Sequence, residues 1–160
     1  MRVSQTPSSF AAGAVLTVDI AAVRENYRRL RQRLGRATCA AVVKADSYGL
    51  GATVVAQALG REGCSTLFVA HPSEGIALRE ALGENPAIYV LNGIYPGAEQ
   101  ECANARLVAV ANSMEQLAAW QAAARRLDRK LPVAVQVDSG MSRLGMPPSD
   151  VGGIVPDTLE

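Results

Sequence analysis

The sequence predicts an α/β fold in which short parallel strands alternate with amphipathic helices. Apolar runs of five or six residues recur along the chain, at 38–43, 66–70, 87–91, 106–110 and 132–137. Segments between them repeat apolar residues at spacings of three and four, which is typical of helices that bury one face. Strands separated by helices form parallel sheets through right-handed crossovers. Periodicity alone leaves two architectures open, a doubly wound sheet and a (β/α)8 barrel.

The first unit is predicted to be a strand over 14–18, AVLTV, followed by a helix that Asp19 caps. Apolar residues at helical spacing define one face of this helix, namely Ile20, Val23, Tyr27, Leu30 and Leu34. Gly35 is expected to end the helix in the left-handed conformation that glycine tolerates.

The remaining helices are predicted at 51–62, 73–82 and 113–127, with another beginning at 147–150. Pro72 or Ser73 opens the second of these, and Ser113 caps the third. The inner face of the third is predicted to carry Met114, Leu117, Trp120 and Ala124. No repeat or linker divides the chain.

The composition argues against binding to nucleic acid. The chain has 160 residues, 49% of them hydrophobic, which is enough for one domain with a core. Charged residues make up 19% and nearly balance, with a net charge of +1, so neither polarity favours a charged partner. Aromatic residues make up only 4%, which disfavours a surface that stacks on bases.

The cysteines predict a cytoplasmic protein with reduced thiols. Cys39, Cys64 and Cys102 lie far apart, form no C-x-x-C pair and, with the single histidine His71, give no metal-site spacing. Residues 1–13 are polar at their start and are predicted to be a flexible N-terminus. Asp19 interrupts the apolar stretch that follows, so we expect no signal peptide and no membrane span.

Lys44 stands at the end of a predicted strand, in the stretch AVVKADSYGLGA. Ligands of parallel sheets bind at the carboxyl ends of the strands. A lysine there can act on a ligand, because its neutral amine is a nucleophile for carbonyls. The alternative is a lysine that merely extends its ammonium to water. The following Gly49-Leu50-Gly51 precedes a helix and suits a phosphate, which the Tyr48 phenol could also reach.

Two further strand ends carry polar residues, Asn92 in LNGIYPG and the pair Asp138 and Arg143 in VDSGMSRLG. Arg143 offers a planar guanidinium that suits a carboxylate or a phenolate oxygen. The alternatives are an ion pair with Asp138, and for Asp138 a turn-capping role. His71 also follows a strand, and solvation or helix capping is its favoured role.

Together these segments resemble the bacterial alanine racemase family. AVVKADSYGLGA resembles the family's pyridoxal-phosphate lysine motif, and VDSGMSRLG resembles its second motif. Three further segments fall in the family's order and spacing, VDIAAVRENYRRL, FVAHPSEGIALRE and AIYVLNG. The resemblance runs from residue 14 to the end of the chain.

The resemblance implies a partial (β/α)8 TIM-type barrel, with outer helices around parallel strands, that stops after about five βα units. Residues 14–160 are then the N-terminal part of the barrel domain, without the family's C-terminal β domain. Lys44 is implied to hold pyridoxal 5'-phosphate as an internal aldimine and to serve as one of two acid/base groups. Tyr48 is implied to contact the cofactor phosphate. Arg143 is implied to bind the cofactor's phenolic oxygen and the substrate carboxylate.

The implied activity is interconversion of L-alanine and D-alanine, which supplies D-alanine for peptidoglycan, in a homodimer of the full-length protein. The isolated chain is expected to have little or no activity, because the second base, a tyrosine, belongs to the β domain. Alternatives are a broad-specificity amino-acid racemase, a basic amino-acid decarboxylase of the same fold, and a non-catalytic cofactor-binding fragment. Two residues differ from many members of the family. Leu50 stands where many relatives have histidine, and Gln136 stands where several relatives have a lysine that becomes carbamylated.

Overall fold

The computed structural model describes residues 13–154, which form a five-stranded parallel sheet with helices between the strands. The strands are β1 Ala41–Val42, β2 Thr66–Val69, β3 Ala87–Val90, β4 Leu107–Ala111 and β5 Val133–Val135. Their spatial order is their chain order, and all four neighbouring pairs are parallel. A doubly wound sheet reverses its order at a switch point, whereas a barrel continues in one direction. The observed order therefore confirms the partial barrel.

The described helices are α1 Ile20–Arg33, α2 Lys44–Tyr48, α3 Ala52–Gly60, α4 Pro72–Leu82, α5 Glu99–Asn104, α6 Met114–Leu127 and α7 Pro148–Val151. The predicted helices are confirmed to within about two residues. Two of the described helices were not predicted, the short α2 and the six-residue α5, whose segment EQECAN is too short and polar to show an apolar period.

The predicted strand at 14–18 is wrong. These residues adopt no regular structure, and within the described part of the chain no strand pairs with them. Leu16 is 82% exposed, so the apolar run has no neighbour to cover it. The predicted flexible segment 1–13 lies outside the described residues, except for Gly13.

Helix α1 begins and ends as predicted, but fewer of the side chains on its apolar face are buried than predicted. The Asp19 carboxylate accepts a hydrogen bond from the Ala22 N–H at 3.1 Å, and Gly35 follows the helix at φ +59. Tyr27 is the fully buried member of the apolar face, and its hydroxyl donates to the Cys39 carbonyl at 2.8 Å. Leu30 and Leu34 are exposed.

The core covers the sheet, where the side chains of Leu67, Val69, Ile88, Val90 and Leu107 are almost fully buried. Burying one such side chain stabilises the fold by about 1.5–3 kcal/mol. Helix α6 adds Leu117 and Trp120, as predicted, and the Trp120 indole donates to the Pro132 carbonyl at 3.1 Å.

Two predictions for α6 fail. Met114 lies in the first turn and is exposed, and Ala123 is fully buried while Ala124 is only partly so. Within residues 13–154, β1 and β5 have one neighbour each, so the sheet has two open edges, as expected of an incomplete barrel.

Candidate active site

Lys44 leaves the sheet where β1 ends. The Val43 N–H donates to the Phe68 carbonyl at 2.9 Å, so strand pairing continues to the residue just before the lysine. Val43 is buried, and Lys44 is partly exposed. The lysine therefore stands at the carboxyl edge of the sheet, where the sequence predicts it.

The four residues after Lys44 form a left-handed helical turn. Ala45, Asp46, Ser47 and Tyr48 have φ between 51 and 55, and Gly49 follows at φ 87. For a residue with a Cβ, the left-handed conformation is higher in free energy than the right-handed one by about 1–2 kcal/mol. The structure thus holds four consecutive non-glycine residues in an unfavourable conformation, which the sequence does not predict.

Glu74 of helix α4 holds the start of this turn, and the sequence analysis missed it. One carboxylate oxygen accepts from the Ala45 N–H at 2.7 Å, and the other accepts from the N–H groups of Ala70, at 2.8 Å, and His71, at 3.0 Å. Burial raises the pKa of Glu74, but the backbone donors of His71, Ala45 and Ala70 outweigh it, and the net pKa lies below the ordinary value. Glu74 is therefore held as a carboxylate.

Asp46 holds the end of the same turn. Its carboxylate accepts from the Ala52 N–H at 2.6 Å, at the first residue of α3, and its carbonyl accepts from the Gly51 N–H at 2.9 Å. The lysine turn is therefore fixed to two helices, to α4 through Glu74 and to α3 through Asp46.

Tyr48 lies close to Lys44 across the turn. The Lys44 ammonium nitrogen is 6.0 Å from the centre of the Tyr48 ring. Tyr48 is 65% exposed, and its hydroxyl makes no hydrogen bond with a residue of 13–154, so it is available to a ligand. Between them the Ser47 hydroxyl is buried without a partner in the described chain.

The motif VDSGMSRLG forms a loop whose two ends are joined by backbone hydrogen bonds. The Asp138 N–H donates to the Met146 carbonyl at 2.9 Å, and the Met146 N–H donates to the Gln136 carbonyl at 2.8 Å. The Asp138 carboxylate accepts from the N–H groups of Ser142 and Gly140, which lower its pKa. Asp138 therefore has the turn-capping role that the sequence left open.

Arg143 lies within this loop and is exposed. It makes no ion pair with Asp138 and no hydrogen bond with Gln136, or with any other residue between 13 and 154. The structure thus brings Lys44 and Tyr48 together and leaves Arg143 unengaged at the end of the fifth strand.

Other polar residues line the same edge of the sheet. His71 occupies the N-cap position of α4, but its side chain makes no capping hydrogen bond. Its Nδ1 lies instead 2.5 Å from the Tyr95 hydroxyl and 3.4 Å from the Asn92 amide nitrogen. The sequence singles out Asn92 and His71 separately but not Tyr95, although Tyr95 lies in the same LNGIYPG loop as Asn92.

Two classes of site have no support in the part of the chain that the structure describes. No group of three or more His, Cys, Asp or Glu side chains is arranged to hold a metal ion between residues 13 and 154. No helix in that range is long and apolar enough to cross a membrane.

The fold and site define a class of protein, a parallel α/β barrel with a lysine at the carboxyl edge of a strand. The chain belongs to the alanine racemase family, because the family model described as "Alanine racemase, N-terminal domain" matches residues 18–159. The chain is 59% identical over 151 residues to the "Alanine racemase, catabolic" of Mesorhizobium japonicum, which covers 94% of the chain and 40% of that relative. It is 49% identical to the alanine racemase of Brucella ovis, over 89% of the chain and 36% of that relative.

Solved structures agree with this assignment. An alanine racemase from Bartonella henselae, described with covalently bound pyridoxal phosphate, superposes with a TM-score of 0.79 at 39% identity, over 84% of this chain and 38% of that one. The biosynthetic alanine racemase of Pseudomonas aeruginosa gives a TM-score of 0.74 at 37% identity, over 82% and 36%. The chain spans about two fifths of the length of these relatives.

Proposed function

We propose that this chain is the cofactor-binding first part of a pyridoxal-phosphate-dependent alanine racemase, in which Lys44 holds the cofactor. The observation that carries the proposal is the position of Lys44, partly exposed at the carboxyl edge of β1 on a turn that two carboxylates hold in place. The residues fit the cofactor's chemistry. The Lys44 amine can react with the cofactor's aldehyde. The free phenol of Tyr48 lies beside this amine, where it can bind the cofactor's phosphate.

When bound, pyridoxal phosphate withdraws electrons from the substrate Cα and makes its proton acidic. The side chains of this chain would supply the rest. Lys44 would hold the cofactor and move the Cα proton on one face of the substrate, Tyr48 would contact the phosphate, and Arg143 would bind the cofactor's phenolic oxygen and the substrate carboxylate. Arg143 has no competing partner in the described structure, so it is free to take this role.

Alanine is the proposed substrate, and the alternatives are less well supported. The curated relatives quoted above are named alanine racemases, and neither name points to a decarboxylase or a broad-specificity racemase. The second base and the homodimer remain part of the proposal, since the chain spans only two fifths of these relatives.

The proposed cellular role is the supply of D-alanine for peptidoglycan, in the cytoplasm. The three free thiols support a reducing compartment. A catabolic role is the second candidate, because the relatives from Mesorhizobium japonicum and Agrobacterium fabrum, at 59% and 46% identity, are both named catabolic. A D-alanine requirement for growth after deletion of the gene would support the first role over the second.

The activity is tested with a chimera in which this chain replaces the matching 40% of the Mesorhizobium relative. We expect the chimera to convert L-alanine to D-alanine and to leave basic amino acids unchanged, and the isolated chain to show little or no conversion. Lys44→Ala should abolish activity. Lys130→Ala, at the chain's only other lysine, should leave activity unchanged. A folded, cofactor-loaded chimera that does not racemise alanine, or that still does so with Lys44→Ala, contradicts the proposal.

A further inference from the structure

We infer that Glu74 is a positioning residue for Lys44, and that its carboxylate sets the turn from which the lysine side chain reaches the cofactor. The inference deepens the proposed function and rests on it. Glu74 itself lies on helix α4, 30 residues from Lys44 in sequence, and touches the residue that follows the lysine.

The two oxygens of Glu74 join two neighbouring strand ends. One oxygen accepts hydrogen bonds from the N–H groups of Ala70 and His71, the two residues that follow β2 and lead into the helix of Glu74. The other reaches across to Ala45, in the turn that follows β1. A single carboxylate therefore fixes the distance between the lysine turn and the next strand of the sheet.

The turn needs such a contact because its backbone conformation is unfavourable. Residues 45–48 are all left-handed, although none of them is glycine. The hydrogen bond from Ala45 to Glu74 is available only while the Ala45 N–H points at α4. Its loss removes the restraint on the first residue of the turn, and with it the restraint on the direction in which Lys44 leaves the backbone.

The contact requires a carboxylate in particular. Three N–H donors converge on two oxygens, and every one of them needs an acceptor. A glutamine at this position has the same shape but one oxygen, so its NH₂ group must face a backbone donor on one side. Glu74→Gln therefore tests the charge and the second acceptor with little change in volume, and Glu74→Ala removes both contacts.

The experiment compares the wild-type chain with Glu74→Gln, Glu74→Ala and a matched control. Ser113→Ala is the control, because Ser113 accepts the Gln116 N–H at the start of α6 and makes no contact with the lysine turn. The first measurement is hydrogen exchange of the peptide that spans residues 44–51. We expect both Glu74 variants to speed its exchange by at least about tenfold, the lower end of the effect of losing one hydrogen bond to a charged group. Ser113→Ala should leave it unchanged.

The second measurement is the site of cofactor attachment. The amine of a lysine condenses with the aldehyde of pyridoxal phosphate with loss of water, and borohydride then reduces the C=N bond to a stable amine. The chain has only two lysines, and exposed Lys130 serves as an internal reference. In both Glu74 variants we expect the ratio of label on Lys44 to label on Lys130 to fall about tenfold. In Ser113→Ala the ratio should be unchanged.

The outcomes separate the inference from the function on which it rests. Equal labelling of both lysines in the wild type would overturn the proposed function and the inference together. A wild-type preference for Lys44 that persists in Glu74→Gln and Glu74→Ala would overturn the inference alone. An equal loss in Ser113→Ala would also overturn it, because general destabilisation would then explain the result. If Glu74→Ala does not fold, the nearly isosteric Glu74→Gln decides.

Discussion

The Asp46 carboxylate accepts a hydrogen bond from the Ala52 N–H at 2.6 Å, so a residue inside the lysine turn caps the helix that follows it. Gly51 stands at the ordinary N-cap position of α3, where it has no side chain to offer. The turn and the helix therefore depend on one another, since the same side chain satisfies the helix and holds the left-handed residues.

Replacing Asp46 by alanine is expected to destabilise the fold by about 1 kcal/mol, the usual effect of removing a helix cap. Asp46→Asn keeps an acceptor oxygen and should retain most of the stability. Urea unfolding of the three proteins measures the difference. Equal unfolding free energies for wild type and Asp46→Ala would show that the bond to Ala52 contributes nothing to the fold.

Gly145 closes the base of the Arg143 loop, and a Cβ at this position would clash with the backbone. A Cβ there would lie 2.7 Å from the Asp138 nitrogen and 2.9 Å from the Val137 carbonyl carbon, at φ +110. Gly140→Ala is the matched control, because its φ of +120 gives similar strain but no atom lies within 4 Å of the new Cβ.

Gly145→Ala should therefore lower the unfolding free energy by at least about 1 kcal/mol more than Gly140→Ala, because it adds a backbone clash to the left-handed strain. It should also speed hydrogen exchange across 137–146. The prediction fails if the two variants have the same stability.

The stability of the chain is expected to fall in acid partly through Glu74. Its backbone donors hold the pKa of the folded carboxyl below the ordinary value of 4.5, against the effect of burial. The stabilisation is therefore complete above about pH 4.5 and is lost as the pH falls through the lower pKa of the folded state.

Glu74→Gln cannot titrate, so the gap in unfolding free energy between wild type and variant should narrow as the pH falls below 4.5. Urea unfolding at a series of pH values measures the gap. A gap that stays constant through this range would show that Glu74 binds protons equally well in the folded and unfolded states.

The three thiols should differ in reactivity. Cys102 is fully buried, and burial together with Glu101 and Glu99 raises its pKa to about 11, while Cys39 is partly exposed. We expect iodoacetamide to label Cys39 first in the native chain and Cys102 last, and to label all three alike in urea. Labelling of native Cys102 at the rate of Cys39 would mean that α5 does not stay packed.

Much of the fold follows from local patterns, and the failures have physical reasons. Strands β2 to β5 could be predicted because each is an apolar run between turn residues. The strand at 14–18 shows the same pattern but has no described partner to pair with. The choice of a barrel over a doubly wound sheet came from the motif resemblance, since periodicity does not encode strand order.

At the site, the sequence placed Lys44, Tyr48 and Arg143 at strand ends but not the turn that arranges them. None of residues 45–48 is a glycine, so no local sequence preference predicts a left-handed conformation there. The contact that holds it comes from Glu74, on another helix. Such an arrangement depends on tertiary packing and could be read only from the structure.

Reductive trapping of pyridoxal phosphate shows whether this chain presents Lys44 as the cofactor lysine. The chain is incubated with the cofactor, reduced with borohydride, digested and mapped by mass spectrometry, with Lys44→Ala as the control. We predict that the label lies on Lys44 far above the exposed Lys130, and that the control loses it. Equal labelling of the two lysines, with the control unchanged at Lys130, would show that this chain does not present Lys44 as the cofactor lysine.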